Sequence, residues 1–245
     1  MYAKDRLIFP LDVPDADEAR KYVRLLGNHV GMFKVGLELF VSEGPSVVDS
    51  IADLTGAGVF VDLKFHDIPA TVQRAIRSGS SLRRAKFITV HCDPGLLEAV
   101  VAEVSLPTKI LAVTVLTSLD SDALLSLGIQ KELAAEPIQL VLHRAAIVKR
   151  AGCAGIVCSG HEVRAVKEKF GDALIVVTPG IRPAWSVVRK DDQKRIVTPY
   201  KAIQNGVDYI VVGRPIREAK DPAEAATRVV EEIEQGLQDR KSSGA

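Results

Sequence analysis

The chain has 245 residues, 47% of them hydrophobic and 26% charged. That length suits one large α/β domain or two small ones, with enough apolar residues to bury a core without disulfide or metal staples. With 32 basic against 31 acidic side chains the formal net charge is +1, which argues against a nucleic-acid or membrane-surface partner and leaves any anionic ligand to a local pocket.

The first residues, MYAKDRLIFPLD, enter a strand at once. They contain no long apolar segment of the signal-peptide kind, and no apolar run in the chain reaches the about 18 residues of a membrane span. Cys92, Cys153 and Cys158 form no CxxC and no zinc-like spacing with histidine. They read as buried free thiols, which fits a reducing cytoplasm.

Short apolar runs then alternate with amphipathic stretches. The first strand is Arg6–Leu11, ending at Asp12, and Asp15–Leu26 is a helix with acids in its first turn. The second strand is Met32–Gly36, with Lys34 facing away from Phe33 and Val35. A helix over Gly44–Leu54 leads to the third strand, Val59–Phe65. Here Asp62 and Lys64, two apart, share one face, while Val61, Leu63 and Phe65 make the other face apolar. Asp67 follows at once, Ile68-Pro69 closes the strand, and Thr71 is placed to cap a helix to Ser80. A surface ion pair on a solvated edge strand is the plainer alternative, but Leu63 and Phe65 demand burial behind it.

The fourth strand is Phe87–His91, with a helix over Pro94–Val104. The fifth is Lys109–Thr117, followed by helices over Asp120–Leu127 and Ile138–Arg150. The sixth is Gly155–Ser159, with a helix over His161–Phe170. Leu174–Thr178 and Tyr209–Gly213 are the seventh and eighth strands. A closing helix covers Pro222–Leu237, and residues 239–245 form a polar, frayed tail. Eight strand–helix units without a linker predict a single-domain (β/α)8 TIM barrel over residues 1–238; no early GxGxxG supports the alternative, a doubly wound open sheet.

In such a barrel the site lies at the C-terminal ends of the strands. Asp12, Lys34, Asp62, Lys64 and Asp67 come off the first three strands, and Thr117 and Ser118 end the fifth. Opposite charges about 4 Å apart attract by about 4 kcal/mol at an effective dielectric near 20, so these groups hold one another ionised. A second cluster follows the seventh and eighth strands. TPGIRP (Thr178–Pro183) makes a Pro179-Gly180 turn before Arg182, and VVGRPI (Val211–Ile216) runs through Gly213 and Arg214 into a short helix. Loops after strands seven and eight are a recurrent phosphate site. The long polar loop Ile181–Val197, with Trp185 in it, has the length of a lid. No His, Asp or Glu set has metal-ligand spacing, so no metal is predicted.

Read together, these motifs resemble the orotidine 5′-monophosphate decarboxylase family over nearly the whole chain. The pieces are LDVP (Leu11–Pro14), FKVG (Phe33–Gly36), DLKFHDIPAT (Asp62–Thr71), LTS (Leu116–Ser118), TPGIRP, DDQKR (Asp191–Arg195) and VVGRPI. One departure is the stretch after Thr89–His91, where Cys92-Asp93-Pro94-Gly95 replaces an expected small residue and paired glycines; His91 is therefore left out of the catalytic set. The resemblance implies cofactor-free decarboxylation of orotidine 5′-monophosphate to uridine 5′-monophosphate. It makes Lys64 the acid that protonates C6, beside Asp62. Lys34 and Asp67 complete a Lys-Asp-Lys-Asp array, Asp67 coming from the partner of a homodimer. It also implies that Asp12 and the partner's Thr71 bind ribose, that Thr117 and Ser118 lie near the base, and that Arg182, Gln193, Gly213 and Arg214 hold the phosphate. Two alternatives stand beside it. One is a sugar-phosphate decarboxylase or hexulose-phosphate-synthase-like enzyme of the same superfamily, for which Lys34 occupies the place of a wanted metal-binding acid. The other is a non-catalytic nucleotide-binding barrel.

Overall fold

In the computed structural model all eight strands expected from the sequence are present, and each pairs in parallel with the next. The structure describes residues 1–82, 84–104, 107–186 and 196–242. The first quarter holds β1 (Leu7–Pro10), α1 (Ala16–Leu26), β2 (Met32–Val35), α2 (Leu37–Glu43) and α3 (Ser46–Leu54). Next come β3 (Gly58–Phe65), α4 (Pro69–Ser80), β4 (Ala85–His91), α5 (Pro94–Val101) and β5 (Lys109–Val113). Three helices follow, α6 (Ser121–Ser126), α7 (Lys131–Ala135) and α8 (Pro137–Arg150), then β6 (Gly155–Val157) and α9 (Val163–Phe170). The chain ends with β7 (Ile175–Thr178), α10 (Pro199–Gln204), β8 (Tyr209–Val211), α11 (Arg214–Arg217) and α12 (Pro222–Ser242). The strands close in sequence order, β8 pairing with β1, so the expected eight-stranded barrel is the observed fold.

Alternation along each strand sorts side chains into two cores. Outward residues such as Phe9, Phe33, Val61, Ile88 and Ile210 pack against the helices in one large buried cluster. Inward residues Ile8, Met32, Phe60, Phe87, Leu111, Val177 and Val211 fill the lumen as a second cluster. The rings of Phe60 and Phe87 meet edge to face at 5.9 Å, and Phe87 meets Tyr209 likewise at 5.2 Å. The barrel is therefore plugged below its rim, and a ligand can enter only from the strands' C-terminal ends.

Several boundaries differ from the sequence reading for local reasons. Asp15 caps α1 as its position suggests, accepting from the Glu18 N–H at 2.8 Å. Thr71 caps nothing: α4 begins two residues earlier, with Ile68 at its N-cap and Pro69 in the first turn, where a missing N–H is no loss. The unanticipated α2 buries only Leu39 and leaves Leu37 and Val41 exposed, so no apolar stripe marks it. The residues expected as a frayed tail continue α12 to Ser242, and Asp239 is tied down there by the Tyr200 hydroxyl at 2.9 Å.

Candidate active site

Counting two residues onward from the lumen layer reaches the rim. Ile8, Met32, Phe60, Leu111, Val177 and Val211 are followed at that spacing by Pro10, Lys34, Asp62, Val113, Pro179 and Gly213. All six of the latter line one cavity of about 540 Å³ at the strands' C-terminal ends. Period-two alternation thus carries Lys34 and Asp62 inward, onto an apolar floor.

The charges form a chain across β1, β2 and β3. Lys34 Nζ lies 3.0 Å from Asp12 Oδ1 and 3.5 Å from Asp62 Oδ2, and Lys64 Nζ lies 2.9 Å from the same Asp62 oxygen. Asp62 is buried, and its other oxygen accepts from the Thr89 hydroxyl at 2.9 Å. Burial alone would push its carboxyl up; the ammonium groups of Lys34 and Lys64, with hydrogen bonds from Lys64 and Thr89, outweigh that and hold it below the ordinary carboxylate range. Burial likewise opposes the charge of Lys34, but Asp62 and Asp12 outweigh it and raise its pKa above that of a free lysine. Asp62 and Lys34 are therefore both held in their charged forms at the centre of the alternating chain.

The rest of the cavity wall comes from the loops after β5, β7 and β8. Thr117, Ser118, Pro179, Gly180, Arg182, Gly213 and Arg214 all line it. Thr117 and Ser118 lie beyond the strand, because β5 stops at Val113. Gly180 has φ +73°, a left-handed turn that suits glycine. At Gly213 an added Cβ would stand 2.8 Å from the Pro10 ring, so the close approach of β8's end to β1 needs the missing side chain. The loop's two ends are zipped where Arg182 N–H donates to Val197 O at 3.0 Å. Trp185 is moored to α12 by a 2.9 Å bond to Glu232, with Arg228 stacked 4.2 Å from its ring centre.

A profile of the "Orotidine 5'-phosphate decarboxylase / HUMPS family" matches residues 5–229. The chain is 50% identical over 237 residues to an orotidine 5′-phosphate decarboxylase of Desulfosudis oleivorans, covering 96% of this chain and 95% of that one. It is 47% identical to the Methylococcus capsulatus protein of the same name, over 94% and 92% of the two chains. A crystal structure of orotidine 5′-phosphate decarboxylase from Lactobacillus acidophilus superposes with a TM-score of 0.78 at 33% identity, over 93% of this chain and 98% of that one. The chain belongs to the orotidine 5′-phosphate decarboxylase / HUMPS family.

Of the residues expected from that family, Asp12, Lys34, Asp62, Lys64, Thr117, Ser118, Pro179, Gly180, Arg182, Gly213 and Arg214 meet in one cavity. Asp67 and Thr71 do not line it within a single chain. Asp67 is exposed and accepts from the Ile68 N–H at 2.6 Å, while Thr71 sits on α4 and accepts from Arg74 at 3.4 Å. Gln193, Asp191, Asp192, Lys194 and Arg195 lie outside the described residues. Two residues of this family member escape the sequence reading. Arg217 lines the cavity and donates to the Asp12 main-chain carbonyl; its signal is a spacing of three from Arg214 on one short helix. Thr89 is an uncharged strand residue with only its register to mark it. His66 and His91, neither lining the cavity, stack with ring centres 4.8 Å apart. Burial first, then His66, Lys64 and Arg144, lower the pKa of His91. Among the described residues no group of three or more His, Cys, Asp or Glu is placed to hold a metal ion, and no helix is long and apolar enough to cross a membrane.

Proposed function

We propose that this chain is a carbon–carbon lyase that converts orotidine 5′-monophosphate to uridine 5′-monophosphate, a step of pyrimidine biosynthesis, without a cofactor. The observation that carries the reading is the unbroken Asp12–Lys34–Asp62–Lys64 chain on the floor of a cavity bordered by Arg182 and Arg214. In this reading the bond from C6 to its carboxylate breaks, the electron pair stays on C6, and carbon dioxide leaves. The Lys64 ammonium stabilises that pair and then delivers its proton to C6, and solvent reprotonates the resulting amine. Asp62 stands beside the substrate carboxylate, and with Lys34 it fixes where the Lys64 ammonium can sit. Asp12 takes ribose hydroxyls, Thr117 and Ser118 the base, and Pro179, Gly180, Arg182, Gly213, Arg214 and Gln193 the phosphate. A cavity of about 540 Å³ is of the size that encloses a small ligand. Lys34, paired with both acids, also fills the place where a sugar-phosphate enzyme of the superfamily would want a metal-binding acid.

The reading further proposes a homodimer with shared sites, working in the reducing cytoplasm that its three free thiols suit. Its support is the position of Asp67 and Thr71 outside their own chain's cavity, on a stretch where Ile68 is 67% exposed. Mixing Lys64→Ala with Asp67→Ala protomers would then rebuild one intact site per heterodimer, with about half the activity of a wild-type dimer; purified heterodimers as dead as their parents would refute sharing. The reaction itself is tested by the ultraviolet absorbance of orotidine 5′-monophosphate on adding enzyme. Loss of the substrate band, unaffected by a chelator, is expected. A stable spectrum would refute the activity, and chelator-sensitive turnover would refute its independence of metal.

A further inference from the structure

β3 and β4 fall out of step beside the charge chain. Val61 pairs with Ile88 and Phe65 with Val90, so four steps along β3 are matched by two along β4. Thr89 is therefore the one β4 residue opposite Asp62, Leu63 and Lys64. The bulge carries Lys64 to φ +50°, a left-handed conformation that lysine adopts only where its surroundings hold it.

What holds it is a side chain. The Lys64 N–H donates to Thr89 Oγ1 at 2.9 Å. The same hydroxyl donates to Asp62 Oδ1 at 2.9 Å, and the second oxygen of Asp62 receives the Lys64 ammonium at 2.9 Å. Three bonds thus close a ring from the Lys64 peptide, through Thr89 and Asp62, back to the Lys64 amine. The direction of each is fixed by chemistry: an ionised carboxylate only accepts and a peptide N–H only donates, so the hydroxyl must accept from one and give to the other. Thr89 is fully buried and does not line the cavity.

We propose that Thr89 is a positioning residue of this enzyme, its hydroxyl fixing together the peptide of Lys64 and the carboxylate of Asp62 so that the proton-donating ammonium is aimed at the reacting carbon. This rests on the role given to Lys64 in the proposed reaction. Thr89→Val keeps the shape and removes both bonds, whereas Thr89→Ser keeps both. Hydrogen bonds to charged groups are strong enough that the valine variant should lose about ten- to a hundredfold in kcat with KM changed by no more than about threefold. The serine variant should stay within about threefold of wild type. Valine at wild-type kcat, or serine falling as far as valine, would overturn the proposal. Should the valine variant not fold, Thr89→Cys replaces it: a thiol is a weak partner, so kcat about tenfold below the serine variant is expected, and parity with serine overturns the role.

A second readout needs no turnover. The carbon-13 signal of the Asp62 carboxyl should titrate at higher pH in Thr89→Val, or in Thr89→Cys, than in wild type, because a bond to the ionised form is lost or weakened. An unmoved titration overturns the positioning. Wild-type enzyme inactive on orotidine 5′-monophosphate would sink the proposed reaction instead, and the titration would still decide whether Thr89 holds Asp62.

Discussion

Along β1–β3 the rim's polar groups are side chains on the strands or within two residues of them, and each charge touches its opposite. Along β7 and β8 they lie past the strand ends, on turns built by Pro179-Gly180 and Gly213. The first half is locked: the side chains of Lys34 and Asp62 are 12% and 11% exposed, and no charge there moves without disturbing the next. The second half takes its shape from backbone turns, a zipped loop base and a tryptophan moored to α12. Burying the Asp62 carboxylate against the Lys34 ammonium is a poor route to stability, since desolvation offsets most of the attraction. The locked half therefore makes physical sense as preorganised chemistry, and the looped half as recognition.

The sharpest way to break that division is to remove the chemistry and leave the binding. Lys64→Ala should lower kcat about a thousandfold or more, because it takes away both the proton donor and the charge facing the developing carbanion. The fold should survive: Asp62 keeps Lys34 and Thr89 as partners, so no buried carboxylate is stranded. Near-normal kcat in a folded variant would remove Lys64 from its role, and a collapsed melting temperature would mean that the locked half is structural after all.

A smaller loss is expected on the other side. Arg214→Ala should lower kcat/KM by about ten- to a hundredfold, the range of one charge-assisted hydrogen bond. Part of that should fall on kcat, since grip on a distant phosphate is used at the reacting centre. Orotidine lacking the phosphate separates the halves: on it, wild type and Arg214→Ala should be alike. A variant that still discriminated against wild type there would show Arg214 acting near the base, not on the phosphate.

The same two halves differ in how far they are legible in the sequence. Lys34 and Asp62 stand two residues beyond the lumen residues Met32 and Phe60, so alternation alone turns them inward. Thr89 obeys the same rule from Phe87, but as an uncharged residue it does not stand out among apolar neighbours. Lys64 reaches the face that alternation assigns it by another route, a bulge set by the pairing of β4, and pairing is a tertiary event that no local pattern displays. β5 stops short of the expected Thr117 because β6 has only three residues; Thr114 N–H takes the last carbonyl available, that of Val157. Asp67 is conspicuous as a charge, yet its partner, if it acts across subunits, is a property of two chains. On the looped side Arg182 and Arg214 are visible only as motifs: Arg182 follows a turn and Arg214 opens a four-residue helix, neither long enough to show a period.

The smallest effect, and the finest test of the comparison, is the dependence of stability on pH. Asp62 is held below the ordinary carboxylate range in the folded state, so it binds its proton less readily there than when unfolded. Its contribution is present above about pH 4, the unfolded value, and is lost as pH falls through the folded one. Lys34 is shifted upward, so its contribution is complete below about pH 10, where an unfolded lysine titrates, and is lost as pH rises through the folded value. Urea unfolding of wild type and Asp62→Asn across pH 3 to 8 should therefore give curves whose separation is constant near neutrality and shrinks at the acid end. Arg214→Ala should run parallel to wild type throughout. Convergence of Arg214→Ala with wild type in acid, or parallel curves for Asp62→Asn, would show that the lock is not in the β1–β3 carboxylates.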